Sequence, residues 1–175
     1  MIKRLIFCLV LLPAPVSAAE EVSFDTESVV FLTKNTNSNQ VHYGVRVDQN
    51  CRPVKRKPLR VFWLMLEKGP AETAGLMFWE RPGYGVRQPK QVHQDTDSGN
   101  FEFVIRGVPE RALTMQTFTS AAGCRARVTT RIADQEAVLQ RIDIEVSGWA
   151  NVHKVEIFGL SLIDGKPLNE ITHQD

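Results

Sequence analysis

The chain has 175 residues, and its 21 Lys and Arg residues nearly balance its 20 Asp and Glu residues. A nucleic-acid-binding protein usually has a strong basic excess, so we expect no nucleic acid as a partner. The length is that of one domain with a real hydrophobic core.

The N-terminus has the pattern of a secretory signal peptide. A short basic stretch precedes an apolar run from Leu5 to Leu12, and small residues follow around Ala18. This arrangement suits cleavage after Ala18, and the run is far shorter than the roughly 20 residues that span a bilayer. We therefore predict a signal peptide over residues 1–18 and a single β-rich domain over residues 19–175. The protein would be periplasmic or secreted, and it would not span the membrane.

Most of the remaining chain alternates apolar and polar residues with a period of two. The alternation is clearest over residues 41–47, 101–106, 124–132 and 140–146. Clusters of turn-forming residues separate these stretches, for example at Ala133-Asp134-Gln135. Such a pattern is typical of half-buried antiparallel strands. It predicts a mainly β fold, an antiparallel barrel or sandwich of about eight strands.

One predicted strand, from Val61 to Leu66, is apolar on both faces, so both faces need a cover. Gly69-Pro70 follows it, and proline suits the first turn of a helix. Leu76 and Trp79 are three residues apart in the next stretch, a spacing that places two side chains on one helix face. We predict one short helix over residues 71–80, lying against this strand.

Two cysteines, Cys51 and Cys124, follow the predicted signal peptide. An even count in an exported protein indicates a disulfide. A bond between Cys51 and Cys124 would close a long loop, and in the chain-entropy model such a bond contributes roughly 4 kcal/mol to the free energy of unfolding. The alternative is two unpaired thiols that lie too far apart to bridge. We favour the disulfide, because an exported protein gains little from free thiols.

A basic cluster precedes the apolar strand. Such a cluster could bind a phosphate, a lipid head group or an acidic polymer. The alternative is a solvated loop, since Pro53 and Pro58 disfavour a helix in this segment. The candidate anion-binding residues are Arg52, Lys55, Arg56, Lys57 and Arg60.

Three further arginines share one face of the strand that follows Cys124. The next strand carries Asp143 and Glu145 on its polar face, so cross-strand ion pairs can form if the two strands are antiparallel neighbours. The alternatives are therefore an anion site and a charge-paired sheet surface. The arginines are Arg125, Arg127 and Arg131.

Four aromatic residues are candidates for binding an apolar or ring-shaped ligand, because Tyr and Trp combine an apolar body with a polar tip. The alternative is ordinary core packing between the predicted helix and the sheet. The candidates are Tyr43, Trp63, Trp79 and Tyr84.

No motif indicates catalysis or metal binding. The histidines, at positions 42, 93, 153 and 173, lack the local spacing of zinc ligands. The chain has no Gly-x-Ser-x-Gly or Ser-x-x-Lys motif and no glycine-rich phosphate loop. We predict no catalytic residue, no metal and no cofactor.

Several short stretches are shared with one bacterial family. They are the Asn-rich turn and strand from Lys34 to Tyr43, the strand Pro58-Leu59-Arg60-Val61-Phe62-Trp63, the step Gly83-Tyr84-Gly85-Val86, and Phe158-Gly159. The chain thus resembles domain-of-unknown-function family 4833, whose members are uncharacterised exported proteins. The resemblance implies a single exported β domain and assigns no activity and no functional residue. The basic cluster and the two cysteines match no feature of the family.

Together these patterns favour a non-enzymatic module of the cell envelope that binds a small apolar ligand or an envelope component. The first alternative is a structural or interaction module that contacts anionic surfaces through the basic cluster. The second alternative is an enzyme of unrecognised type.

Overall fold

The computed structural model describes residues 29–34, 39–67, 72–88, 99–147 and 151–173. The predicted signal peptide and His93 lie outside the described residues. The strands are β1 (Val29–Lys34), β2 (Gln40–Val45), β3 (Leu59–Leu64), β4 (Thr73–Gly75), β5 (Val86–Arg87), β6 (Phe101–Ile105), β7 (Leu113–Ser120), β8 (Gly123–Ile132), β9 (Gln135–Ser147), β10 (Asn151–Ser161) and β11 (Pro167–His173). The helix α1 (Arg81–Tyr84) lies between β4 and β5.

The described strands form one large sheet in the order β4-β3-β2-β1-β9-β8-β7-β6-β5. On its other edge β9 pairs with β10, which in turn pairs with β11. The sheet is mixed, because β1 runs parallel to β9, and it is not closed. The prediction of a mainly β fold with one short helix is confirmed. The eight-stranded antiparallel barrel or sandwich is not confirmed.

The length of β9 explains the difference. Its 13 residues give room for two successive partners on one edge. Residues 135–138 pair with β8, and residues 141–143 pair with β1. Two branches therefore diverge from β9, one containing β1–β4 and the other β5–β8. Alternation within single strands does not show that two of them share one long neighbour.

The inward faces of both branches form the core, as the alternation predicts. Phe101, Phe103 and Ile105 on β6 are buried, as is Ile142 on β9. Gln140 was expected on the same face as Ile142, yet it is exposed. The register between β9 and β10 shifts beside Gln140, so the inward and outward positions change places there.

The helix predicted over residues 71–80 is wrong in position. Residues 73–75 form β4 and pair with β3, where Phe62 lies opposite Gly75, and the helix begins only at Arg81. The backbone of residues 73–75 therefore forms hydrogen bonds with the edge of β3 instead of the helical hydrogen bonds that were predicted. Pro82 lies in the first turn of the observed helix, where a missing N–H costs nothing.

Each face of β3 is covered in a different way. On the inner face, the ring of Trp63 contacts the ring of Tyr84 from α1, so the short helix does cover this side. On the outer face, Phe62 packs against His42 and beneath the guanidinium of Arg60. Within the described ranges, no helix has the length and hydropathy needed to cross a membrane.

A disulfide joins Cys51 to Cys124, with their Cα atoms 5.1 Å apart. Cys51 lies in the connection between β2 and β3, and Cys124 lies in β8. The predicted cysteine pair is therefore the one formed, and it links the two branches of the sheet across 73 positions of sequence.

Replacing both cysteines with alanine should lower the free energy of unfolding by about 2–5 kcal/mol, because the unfolded chain regains the freedom of a long loop. Urea denaturation followed by far-UV circular dichroism measures the difference. Reductant should destabilise the wild type to a similar extent and leave the double variant unchanged. Equal stability of the oxidised wild type and the double variant would contradict this role.

Candidate functional site

Three of the four predicted ligand-binding aromatics come together in the core. The ring of Tyr43 stacks on Phe31, with centroids 4.4 Å apart, and its hydroxyl donates a hydrogen bond of 2.8 Å to the carbonyl of Tyr84. The ring of Tyr84 meets the edge of Trp63 at 5.3 Å. All three are buried, and burial raises the pKa of Tyr43. Two ring contacts and one hydrogen bond thus link Phe31, Tyr43, Tyr84 and Trp63 in series, and we name these four residues the aromatic column.

A single carboxylate connects this column to the surface. Oε2 of Glu80 accepts a hydrogen bond of 2.9 Å from Nε1 of Trp63 and another of 2.7 Å from the backbone N–H of Met77. The N–H of Glu80 donates back to the Met77 carbonyl at 3.2 Å. We name residues 77–80 the aromatic turn. A backbone hydrogen bond closes this turn, and so does the side chain of Glu80, which also binds the buried Trp63.

The fourth predicted aromatic, Trp79, lies on this turn and points to solvent. Phe78 is 75% exposed, Met77 54% and Trp79 52%. The rings of Phe78 and Trp79 meet edge to face at 4.7 Å. Turns are usually built from small and polar residues, whereas contiguous exposed apolar side chains mark interaction sites. The structure therefore separates Trp79 from the buried three and places it in an exposed apolar group.

The position of the aromatic turn follows from strand direction. Since β4 runs antiparallel to β3, the chain that leaves Gly75 heads toward the Arg60 end of β3. The connection between β2 and β3, residues 46–58, joins β3 at that same end, and we name it the basic loop. The C-terminal end of β4 is thus directed toward the end of β3 at which the basic loop ends.

The basic loop is shaped by contacts that the sequence did not reveal. Oδ1 of Asp48 accepts hydrogen bonds from the backbone N–H groups of Asn50 and Arg52. The guanidinium of Arg46 donates to the carbonyl of Lys57. These contacts hold the loop, while the predicted cations are exposed on it or, for Arg60, on β3: Arg52, Lys55, Arg56, Lys57 and Arg60.

The cross-strand ion pairs expected between the β8 arginines and Asp143 or Glu145 are not found among the described residues. β8 pairs with β9 over Thr129–Ile132, so Arg125 and Arg127 lie beyond the shared region and face β7 instead. Arg127 donates to Gln116 at 2.7 Å and lies over the ring of Phe118, while Arg125 is opposite Phe118 in register. The expectation of Asp143 or Glu145 as their partners was wrong.

Two charged residues of these strands do form local ion pairs. Arg131 approaches Asp134 in the turn that follows β8, at 3.6 Å. Arg141 pairs with Asp143 on its own strand at 2.9 Å, and its guanidinium lies over Phe158. These ion pairs are local in sequence and are not the cross-strand pairs that were predicted.

The described histidines lie on β2, β10 and β11, and His173 is opposite Lys154, the neighbour of His153, in register. Burial lowers the pKa of His42, whose Nε2 is 3.0 Å from the side-chain oxygen of Gln40. In the part of the chain that the structure describes, no three His, Cys, Asp or Glu side chains are grouped so as to hold a metal ion.

Sequence reasoning missed Glu80, although a carboxylate three residues after Met77 fits a closed turn.

Replacing Glu80 with alanine leaves the N–H groups of Trp63 and Met77 without their acceptor, so we expect a loss of about 1–3 kcal/mol in unfolding free energy. Urea denaturation measures it. Glu110→Ala, which removes an exposed carboxylate elsewhere, is the control and should change stability little. Equal losses in the two variants would contradict the role of Glu80.

Comparison with known proteins gives a family without a known activity. Neither the curated proteins nor the solved structures contain a significant match to the chain. A family model, described as a domain of unknown function, DUF4833, matches residues 30–170. The match runs from β1 into β11 and agrees with the resemblance seen in the sequence. Because it covers most of the chain, the protein belongs to the DUF4833 family.

Proposed function

We propose that the protein is an envelope-binding module that attaches to a membrane surface by inserting the aromatic turn into the interfacial region. The observation that carries this proposal is the exposure of Phe78 and Trp79 on a turn closed by Glu80. Tryptophan favours the membrane–water interface, where its ring is buried among lipid and its N–H stays hydrated.

The rigidity of the turn supports insertion. A flexible loop would lose conformational freedom on binding, and that loss weakens affinity. Here the hydrogen bonds from Trp63 and Met77 to Glu80 already hold the turn. The free energy of burying Phe78 and Trp79 is therefore available for attachment.

The charges near the turn suit an anionic membrane. Arg81 follows the turn directly and is exposed, and the basic loop joins β3 at the end toward which β4 runs. A cation near an anionic lipid surface contributes on the order of 1 kcal/mol. Glu80, the acidic residue of the turn, is occupied by its two hydrogen bonds. The proposal includes a location outside the cytoplasm, with which a disulfide is compatible, and there the protein would meet the outer surface of the cytoplasmic membrane.

A second exposed apolar turn offers a contrast. Ile163 is 82% exposed beside Leu162, between β10 and β11. The next residue, Asp164, forms an exposed ion pair with Lys166 at 2.8 Å. Insertion here would desolvate charges, and this turn has no aromatic residue. We expect no membrane attachment through it, which makes it a matched control.

The test uses vesicles of phosphatidylethanolamine and phosphatidylglycerol. Burying an aromatic side chain contributes about 1.5–3 kcal/mol, so Phe78→Ala/Trp79→Ala should weaken vesicle binding about tenfold or more. Leu162→Ala/Ile163→Ala should bind as the wild type does. Equal binding by all three proteins in a sedimentation assay would overturn the proposal.

A fluorescence experiment locates the inserted residue. Brominated lipids quench tryptophans that enter the bilayer, so they should quench the wild-type protein. The experiment uses Trp149→Phe as its background, which leaves Trp63 and Trp79 as the tryptophans of the chain. In that background Trp79→Phe keeps an aromatic ring at the turn and should still bind, but most of this quenching should be lost because Trp63 is buried in the core. Full quenching in Trp79→Phe would show that another segment inserts.

A further inference from the structure

The sheet of the described residues ends at three strands, β4, β5 and β11. The free edge of a strand presents unpaired N–H and C=O groups, and proteins usually protect it from other chains by shortness, lysines or bulges. β4 has three residues and β5 has two, so both are protected by their length. β11 has seven residues and no lysine, and no bulge interrupts its pairing with β10. It is therefore the edge best suited to receive another strand.

A hydrogen bond beside the start of β11 shows which of its main-chain groups are free. The N–H of Ser161 donates to the carbonyl of Lys166 at 2.9 Å. Hydrogen-bonded and non-hydrogen-bonded pairs alternate along an antiparallel ladder, so every second residue of β11 bonds to β10. These residues are Leu168, Glu170 and Thr172. The N–H and C=O groups of the alternate residues point away from β10, and we name these residues the open edge: Asn169, Ile171 and His173.

β11 is held firmly on its inner face and is exposed on its outer face. Leu168 packs against the core, and the carboxylate of Glu170 binds the guanidinium of Arg111 and the N–H of Ala133. The side chains of the open edge, by contrast, are all exposed, and Ile171 is 47% exposed. Among the described strands, none pairs with this edge. A further strand would thus form main-chain hydrogen bonds here without displacing any described strand.

We propose that the open edge binds the open edge of a second copy of this chain, in antiparallel orientation, with a two-fold axis at Ile171. Each Ile171 then lies opposite Ile171 of the second copy, and each Asn169 lies opposite His173 of the second copy. The two residues of such a pair exchange two hydrogen bonds. Every N–H of the open edge therefore donates to a carbonyl of the second copy, and one continuous sheet crosses the axis.

The side chains of the open edge favour this occupant. Nδ2 of Asn169 donates to Oε1 of Glu156 on β10 at 2.7 Å, so Oδ1 of Asn169 is directed away from β10, toward His173 of the second copy. An imidazole N–H is a suitable donor to that oxygen. At the axis the two Ile171 side chains cover each other, and no like charges lie opposite one another. The edge is thus complementary to itself, as a two-fold contact requires.

The position of the axis follows from the position of the proline. An axis at Asn169 would place Pro167 opposite Ile171 of the second copy, and proline has no N–H to donate. An axis at Ile171 uses the N–H groups of all three residues of the open edge. The two registers bring different residues together at the axis, so an experiment can distinguish them.

The aromatic turn lies far from this contact. It follows β4, and β4 and β11 are the two ends of the ladder β4-β3-β2-β1-β9-β10-β11. At about 4.8 Å between neighbouring strands, the two ends are separated by about 29 Å across the sheet. Pairing through the open edge therefore leaves the aromatic turn of each copy free, and the inference does not depend on membrane insertion.

The first test measures the mass of the protein by sedimentation equilibrium. The experiment covers concentrations from about 5 to about 500 µM, because so small an interface gives a weak dimer. Ile171→Lys places a charge at the axis and should weaken the dimer about tenfold or more. Ile163→Lys adds the same charge at an isoleucine that is 82% exposed in the turn before β11, and it should dimerise as the wild type does.

The second test locates the axis by cross-linking. In the proposed register the two Cα atoms at position 171 are about 5.5 Å apart, which a disulfide can bridge. Mild oxidation of Ile171→Cys should therefore produce a covalent dimer. The two residues at position 169 are about 14 Å apart along the strands in this register, so Asn169→Cys should stay monomeric under the same conditions.

Three outcomes would overturn the proposal. A monomer at every concentration would show that the open edge does not pair. Equal dimerisation of Ile171→Lys and the wild type would place the contact on another surface. Cross-linking of Asn169→Cys as efficient as that of Ile171→Cys would contradict the register. If Ile171→Lys does not fold, the cross-linking comparison decides alone.

A further variant separates this inference from membrane attachment. Phe78→Ala/Trp79→Ala should dimerise as the wild type does, because the aromatic turn lies at the opposite end of the ladder. Loss of vesicle binding in this variant without loss of the dimer would keep the two proposals independent. Loss of the dimer in this variant would show that the aromatic turn, and not the open edge, forms the contact.

Discussion

The hydrogen bond from the Tyr43 hydroxyl to the Tyr84 carbonyl is the contact on which the site depends. Tyr43 belongs to β2 in one branch of the sheet. Tyr84 ends the helix that leads into β5, which pairs with β6 in the other branch. The bond therefore fixes the segment that crosses between the branches. Because Tyr43 is fully buried, its hydroxyl would lose free energy without this acceptor.

The exposed aromatic turn is a consequence of this buried arrangement. Once Tyr84 is fixed, its ring sets the position of Trp63 through their edge contact. Trp63 then directs its N–H to Glu80, and Glu80 closes the turn on Met77. A surface segment that was predicted to be helical is thus a turn held by side chains of the core. The separation of Trp79 from Tyr43, Trp63 and Tyr84 follows from the same contacts.

Local patterns were enough to predict much of the fold. Alternation located β6, β8 and β9, and the turn at Ala133 and Asp134 adopts positive φ at both residues, as two-residue hairpins require. The predicted export of the protein and the two cysteines that follow the predicted signal peptide together predicted the disulfide. The helix prediction was wrong because the spacing of Leu76 and Trp79 could not reveal that residues 73–75 pair with β3. Nor could it reveal the contact between Glu80 and Trp63. The β8 arginines were assigned wrong partners because the register between strands is a tertiary property.

Insertion of a preformed turn requires that residues 77–80 are rigid before they bind anything. Amide hydrogen exchange at Met77, followed by NMR, tests it most directly, because this N–H donates to the Glu80 carboxylate. The account predicts that the Met77 amide exchanges far more slowly than in an unstructured peptide of the same sequence, and that Glu80→Ala removes the protection. Exchange at the peptide rate in the wild-type protein would show that the turn is open, and the account would be wrong.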